Sequence, residues 1–184
     1  MLEHDSHPPM RCLDQRKIGR ASRFTLRQDT LEWPGGVIGK QSVIEGPASV
    51  MVVPFYEDGS TALVRQWRNA WGGTAWEVCA GSLEEGEEPQ ESAPRELAEE
   101  VGLTASIWSS LGQVRPHATF TGIVYLFLAR QLTEVEPHLE PYEQDLILQR
   151  LPLSAAVELA LNGEIEHSGS CVALLRAARV VGVI

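Results

Sequence analysis

The chain has 184 residues and a mass of 20.2 kDa, room for one domain with a real core and a short appended element. Its 15 Lys plus Arg against 25 Asp plus Glu give a formal charge of -10 and a pI near 4.9, so the surface repels nucleic acid and anionic lipid, and a polyanionic ligand needs a local cation. The 3 cysteines, Cys12, Cys79 and Cys171, are too scattered for a disulfide framework or a paired-cysteine metal site, and no apolar run reaches the roughly 20 residues of a membrane span. A soluble, cytoplasmic protein that binds neither nucleic acid nor membrane is the expectation.

Residues 1–19 open with "MLEHDSHPPMRC", where acids, histidines and prolines replace the apolar stretch of a signal peptide, and they read as a flexible N-terminus. Residues 20–46 alternate apolar and polar side chains on either side of "PGG", the pattern of a hairpin or meander, and form a small N-terminal antiparallel unit ahead of residues 47–184. The stretch "ASVMVVPFYEDGSTALVRQWR" follows with an apolar strand, a turn at Asp58-Gly59 and a second strand from Thr61 to Arg68, then comes a short strand "WEVCA". Beyond an acidic loop and helix come strands near Ile107–Val114 and Ile123–Ala129, a strand in "DLILQRLPL", a helix ending at Asn162-Gly163, and a last amphipathic helix, "SCVALLRAARVVGVI". Strands and helices alternate without a regular βαβ rhythm. The fold class is therefore mixed, α/β in the α+β sense, with a mixed sheet between helices.

The acidic segment "GSLEEGEEPQESAPRELAEEVGL" spans Gly81 to Leu103. In a helix, Glu96, Glu99 and Glu100 stand at i, i+3 and i+4 and share one face, where like charges repel unless a cation sits before them. Hard divalent ions such as Mg²⁺ take oxygen ligands of this kind and leave places for water and phosphate oxygens. Gly102 can close the helix in the left-handed conformation, Gly81 permits a close approach, and Arg95 stands ready to pair with Glu87 or to orient Glu96. Pro94 opposes a helix running through it, so the helix is predicted to start late, with Ser92 as N-cap. An arbitrary acidic helix face is usually solvated surface. The spacing points elsewhere: it reads G-x5-E-x7-R-E-U-x-E-E-x-G-U, with U apolar, at Gly81, Glu87, Arg95, Glu96, Leu97, Glu99, Glu100, Gly102 and Leu103.

That pattern is the Nudix box, and the chain resembles the Nudix hydrolases. The flanking "ALVRQWRNAWGGTAWEVCAGSLEEGE", together with Arg115-Pro116, "FLA" at residues 127–129, "EPHLEPYEQD" and Gly163-Glu164-Ile165, is similar to the ADP-ribose pyrophosphatase branch over roughly residues 20–178. The resemblance implies a Nudix fold in which Glu96, Glu99 and Glu100 ligate Mg²⁺, with Mn²⁺ able to substitute and the Ala80 carbonyl as a further ligand. Glu96 and Arg95 belong to the catalytic set, with Gly81, Glu87 and Gly102 in support. Glu143 is the first candidate for the general base and Glu140 the second. Of Arg65, Gln66 and Arg68, only one alternating pair, Arg65 with Trp67 or Gln66 with Arg68, can face the substrate. Trp33, Trp67, Trp71 and Trp76 are candidates for stacking on a base, and Pro116 marks the downstream specificity loop. The branch implies a homodimer built on residues 20–46.

The implied activity is cleavage of a nucleoside diphosphate linked to a sugar, ADP-ribose first, giving AMP and ribose 5-phosphate. A triphosphate or dinucleoside polyphosphate hydrolase and a non-catalytic ADP-ribose sensor are the alternatives. Three positions depart from the branch: Cys79 stands where proline precedes the Ala-Gly pair, Pro94 enters the helix, and Pro116 follows Leu103 at a shorter spacing. His117, His167 and Cys171 are read as structural.

Overall fold

The computed structural model describes residues 8–139, 141 and 143–184. The chain divides into two units, one made of residues up to Pro47 together with His117–Gly122, the other of Ala48–Pro116 and Ile123–Ile184.

In the first unit β1 (Arg11–Ala21), β2 (Phe24–Trp33) and β3 (Val37–Glu45) form an antiparallel three-stranded meander in the order β1-β2-β3. The β2–β3 connection uses Gly35 at φ 86° and Gly36 at φ 79°, a left-handed pair that residues with a Cβ resist, and closes with the Gly36 N–H donated to the Trp33 carbonyl at 3.1 Å. Phe120 returns to this unit by a bridge to Ile44 and a ring contact with Phe24 at 6.1 Å. The meander begins at Arg11, so residues 11–19, expected to be flexible, are strand. Every residue of β1 is exposed, and a strand that buries neither face carries no apolar alternation to announce it.

The second unit is organised by β4 (Ser49–Pro54), which pairs antiparallel with β7 (Cys79–Ser82) and parallel with β9 (Val124–Glu134); β8 (Leu103–Val114) completes a sheet of order β7-β4-β9-β8. A smaller sheet, β10-β5-β6, joins β10 (Ile147–Pro152), β5 (Ser60–Arg68) and β6 (Gly73–Glu77). The segment expected as one strand, "WEVCA", thus divides at Val78 between two sheets, and the Val78 N–H is donated to Ser170 Oγ instead of to a strand.

Period-two alternation builds the layers. Met51, Val53, Leu63, Leu126 and Leu128 pack with α2 (Leu153–Leu161) and α3 (Ser168–Val181). Their neighbours Val50, Val52, Ala62, Val64, Phe127 and Ala129 pack on the opposite face with Ala93, Leu97 and Val101 of α1 (Pro89–Val101). Both faces of β4 are buried, which is why "SVMVVP" is continuously apolar. A mixed sheet between helices, with a small antiparallel N-terminal unit, is the architecture expected from the sequence.

Helix α1 corrects one expectation. It starts at Pro89, not at Ser92: Pro89 occupies the first helical position, and the Glu91 carboxylate accepts the Glu88 N–H at 3.0 Å. Pro94 therefore lies inside the helix. The carbonyl it leaves without an intrahelical donor is that of Gln90, an exposed residue.

Candidate active site

The buried stripe of α1 runs Pro89, Ser92-Ala93, Glu96-Leu97, Glu100-Val101, so the helix turns two of its glutamates inward beside its apolar residues. Glu96 is 8% exposed and Glu100 7% exposed. These carboxylates are not a solvated face, and their burial needs compensation by charge or hydrogen bonds.

Arg95 supplies part of it. Its guanidinium donates to both Glu87 carboxylate oxygens at 2.8 Å, to Glu96 at 2.8 Å, to Glu99 at 3.0 Å and to Ser92 Oγ at 3.1 Å. The guanidinium holds Glu87 down to about 2, and an N–H donated by Glu84 assists it. Arg95 thus does both things expected of it, joining Glu87 in the loop to the carboxylates on the helix.

Glu100 has a different partner. Its carboxylate accepts the Ala80 N–H at 3.0 Å, yet burial, together with the charges of Glu96 and Glu143, pushes its pKa up to about 8; the Ala80 N–H and a weak thiol bond from Cys79 oppose that rise. Glu96 is raised mainly by burial, against Arg95 and with Glu99 and Glu143. Within a strand the N–H and C=O of one residue leave by the same edge, so the Ala80 carbonyl emerges on the edge that faces Glu100.

Two glycines make room. A Cβ on Gly81 would lie 1.8 Å from the carboxyl carbon of Glu96. Gly102, at φ 68°, closes α1 in the left-handed conformation, and a Cβ there would meet the Val135 carbonyl oxygen at 2.9 Å.

Described residues of the segment between β9 and β10 are bonded to the end of α1. The Val135 N–H is donated to the Gly102 carbonyl at 2.8 Å and the His138 N–H to the Glu99 carbonyl at 3.1 Å, and the charge of Glu143 bears on both Glu96 and Glu100. Glu140, the second candidate for the base, lies outside the described residues.

Strand β5 sets its alternating residues on opposite faces of its sheet. Gln66 is buried and shares the α1 face with Val64, and Arg68 on that face feels the charges of Glu100 and Asp145. Arg65 is on the other face, 5.6 Å from the Trp76 ring, and Trp67 is half exposed beside it. Pro116 is exposed beyond β8, and Trp33, in the N-terminal unit, lays its ring over Gly39.

Sequence reasoning gave no role to Glu77, which is 2% exposed and receives both N–H groups of a forked Arg68 bond at 2.6 Å, with His167 Nδ1 3.4 Å away. Its signal was present, an acid on the buried face of a short strand. Asp145 was also missed.

The donor set is carboxylate and carbonyl oxygen, the chemistry that suits a hard divalent cation, and burying Glu96 and Glu100 together creates the demand for one. As the described side chains stand, no three His, Cys, Asp or Glu converge on one ion position; the cation before Glu96 and Glu99 is the guanidinium of Arg95.

Residues 46–168 match the model of the NUDIX domain, and the chain belongs to the Nudix family. It is 34% identical over 171 residues to an ADP-ribose pyrophosphatase of Mycobacterium tuberculosis, covering 91% of this chain and 81% of that one. It is 29% identical over 172 residues to an ADP-ribose pyrophosphatase of Bacillus subtilis, covering 90% and 93%, and 28% identical over 151 residues to a methanol dehydrogenase activator of Bacillus methanolicus, covering 81% and 82%. A solved structure described as an ADP compounds hydrolase superposes with a TM-score of 0.84 over 98% of both chains at 22% identity, a likeness of fold. The chain is a Nudix hydrolase, acting on phosphorus-containing anhydrides.

Proposed function

We propose that the protein cleaves the diphosphate of a nucleoside diphosphate linked to a sugar, ADP-ribose first, to AMP and ribose 5-phosphate, with Mg²⁺ as the working ion and Mn²⁺ able to replace it. The observation that carries this reading is the burial of Glu96 and Glu100 together on α1, the one held by Arg95 and the other by the Ala80 N–H, beside a strand that turns Gln66 and Arg68 to the same side. Two curated relatives named ADP-ribose pyrophosphatases, each matched over nine-tenths of this chain or more, support the substrate class.

Glu96, Glu99, Glu100 and the Ala80 carbonyl are the groups that would hold the metal. Bound there, a divalent ion neutralises charge on the anhydride and makes water more acidic. Arg95 fixes Glu96 and Glu99 against Glu87 so that the carboxylates are oriented before substrate arrives. Glu143 accepts the proton of the attacking water, and Arg68, gripped by Glu77, presents cationic charge to the phosphates. The N-terminal meander is proposed as the surface of a homodimer, and its exposed Leu13, Ile18, Leu26, Val37 and Ile38 support that reading. Among the described residues no helix is long and apolar enough to cross a membrane, and the acidic balance of the chain supports a cytoplasmic protein that avoids nucleic acid.

The test is a panel of ADP-ribose, GDP-mannose, NADH, diadenosine polyphosphate and dGTP with Mg²⁺ or Mn²⁺. Preferred turnover of ADP-ribose supports the proposal; preference for dGTP or the dinucleoside polyphosphate, or tight ADP-ribose binding without turnover, overturns it.

A further inference from the structure

The β5–β10 ladder ends with Ile147 opposite Arg65. One step of two residues further along each antiparallel strand brings Asp145 opposite Trp67, and Trp67 has a backbone N–H that a continuing strand would pair with a main-chain carbonyl. Instead, the Trp67 N–H is donated to the carboxylate of Asp145 at 2.8 Å. The main chain is thereby released from the sheet at the place where it must turn. It does turn there, the Leu146 N–H being donated to the Glu143 carbonyl at 2.9 Å. Upstream, the same segment is tied to α1 by the His138 N–H on the Glu99 carbonyl. The described parts of the segment are therefore held on one side by the helix that carries the acidic cluster and on the other by the strand that carries Gln66 and Arg68.

We propose that Asp145 is a positioning residue for hydrolysis: by taking the place of a main-chain acceptor at the end of β5, it sets the Glu143 turn and so aims the Glu143 carboxylate at the water attacking the diphosphate. The inference rests on the proposed function and on Glu143 as base. It assigns Asp145 no contact with substrate or metal. What matters is its acceptor oxygen, so an amide of the same shape should serve.

The experiment compares wild type, Asp145→Ala, Asp145→Asn, Glu143→Gln and Glu143→Gln/Asp145→Ala in ADP-ribose hydrolysis with Mg²⁺, with Mn²⁺ binding and hydrogen exchange at the Trp67 amide as further readouts. In Asp145→Ala, kcat falls about 10- to 100-fold, as for a catalytic group displaced by an ångström or less, while KM and Mn²⁺ affinity stay within about twofold and the Trp67 amide exchanges faster. Asp145→Asn returns kcat to within about threefold of wild type and restores protection, because its side-chain carbonyl still accepts the bond. The double variant is no slower than Glu143→Gln alone, since a residue acting through Glu143 has nothing left to position. A wild-type kcat in Asp145→Ala, an Asn variant as impaired as the Ala variant, or an additive loss in the double variant overturns the role of Asp145 while leaving the proposed function standing. A wild type that cleaves no diphosphate with either ion overturns both. Should Asp145→Ala not fold, Asp145→Leu, which keeps the bulk and removes the acceptor, takes its place with the same expected and overturning results.

Discussion

Gly81 and Glu96 interlock: the space a Cβ would fill on Gly81 is taken by the Glu96 carboxylate, whose carboxyl carbon lies 1.8 Å from that position and whose oxygens lie 1.9 and 2.1 Å from it. The helix thus presses a buried acid against the main chain of β7, and the loop must be bare there to receive it. Gly81 has no positive φ, so alanine fits the backbone, and the group that must yield is the flexible end of Glu96. Gly81→Ala is expected to stay folded, losing about 1–2 kcal/mol or less, and to lose about 100-fold or more in kcat as Glu96 swings away. Thermal melts beside steady-state rates check this; equal losses in both would mean that Gly81 serves only the fold.

Arg95 joins four side chains, and Glu96 among them is buried. Removing the guanidinium leaves that carboxylate without its cation. Arg95→Ala should destabilise the metal-free protein by about 1.5–3 kcal/mol, the range for hydrogen bonds to charged groups, and Arg95→Lys should recover less than half because an ammonium cannot fork. Added Mn²⁺ should recover more stability in Arg95→Ala than it adds to wild type. Denaturant titrations with and without the ion measure both effects.

The raised pKa of Glu100 sets a sign for stability against pH. Its folded-state value, about 8, lies above the ordinary 4.5, so between the two the native state holds a proton that the unfolded chain has released. Its contribution is full below about pH 4.5 and is lost as pH rises through about 8, and Glu96, raised by burial, acts in the same direction. Glu87, held near 2, changes stability only at lower pH and does not mask the trend. In chelator, the Tm should fall as pH rises from about 7 to about 9, above the range in which His167, lowered by burial, works the other way; Glu100→Gln should flatten the fall, and stabilisation by Mn²⁺ should grow with pH as the ion takes the proton's place. A flat profile in the wild type contradicts the burial account.

Glu143 and Glu140 are separable by their effects on rate. Glu143→Gln is expected to lower kcat by about 100-fold or more, with Mn²⁺ binding retained. Glu140→Gln should stay within about threefold of wild type. The reverse ranking would transfer the role of base to Glu140.

The sequence made some of these relationships readable and hid others, for physical reasons. Helix geometry alone brings Glu96, Glu99 and Glu100 to one side and lets Arg95 reach Glu99 at i+4, so that part was legible from spacing. The burial of Glu96 and Glu100 was not, because it depends on β7 packing beside α1, a relation between distant segments. The start of α1 was misjudged because Pro94 was weighed and the pairing of Glu88 with Glu91 was not. Strand β1 was missed because it buries nothing, and the break at Val78 because a residue that changes sheets looks in sequence like any other strand residue. Asp145 left no signal at all. Its place is fixed by where the β5–β10 register ends.

The most direct test of the central claim is the rate of ADP-ribose hydrolysis with Mg²⁺ in wild type and in Glu100→Gln, with AMP and ribose 5-phosphate both quantified. The account predicts equal amounts of the two products from the wild type, none in chelator, and a loss of about 1,000-fold or more in the variant, whose amide takes away one charged oxygen ligand. Undiminished turnover in Glu100→Gln, or turnover that persists in chelator, would contradict it.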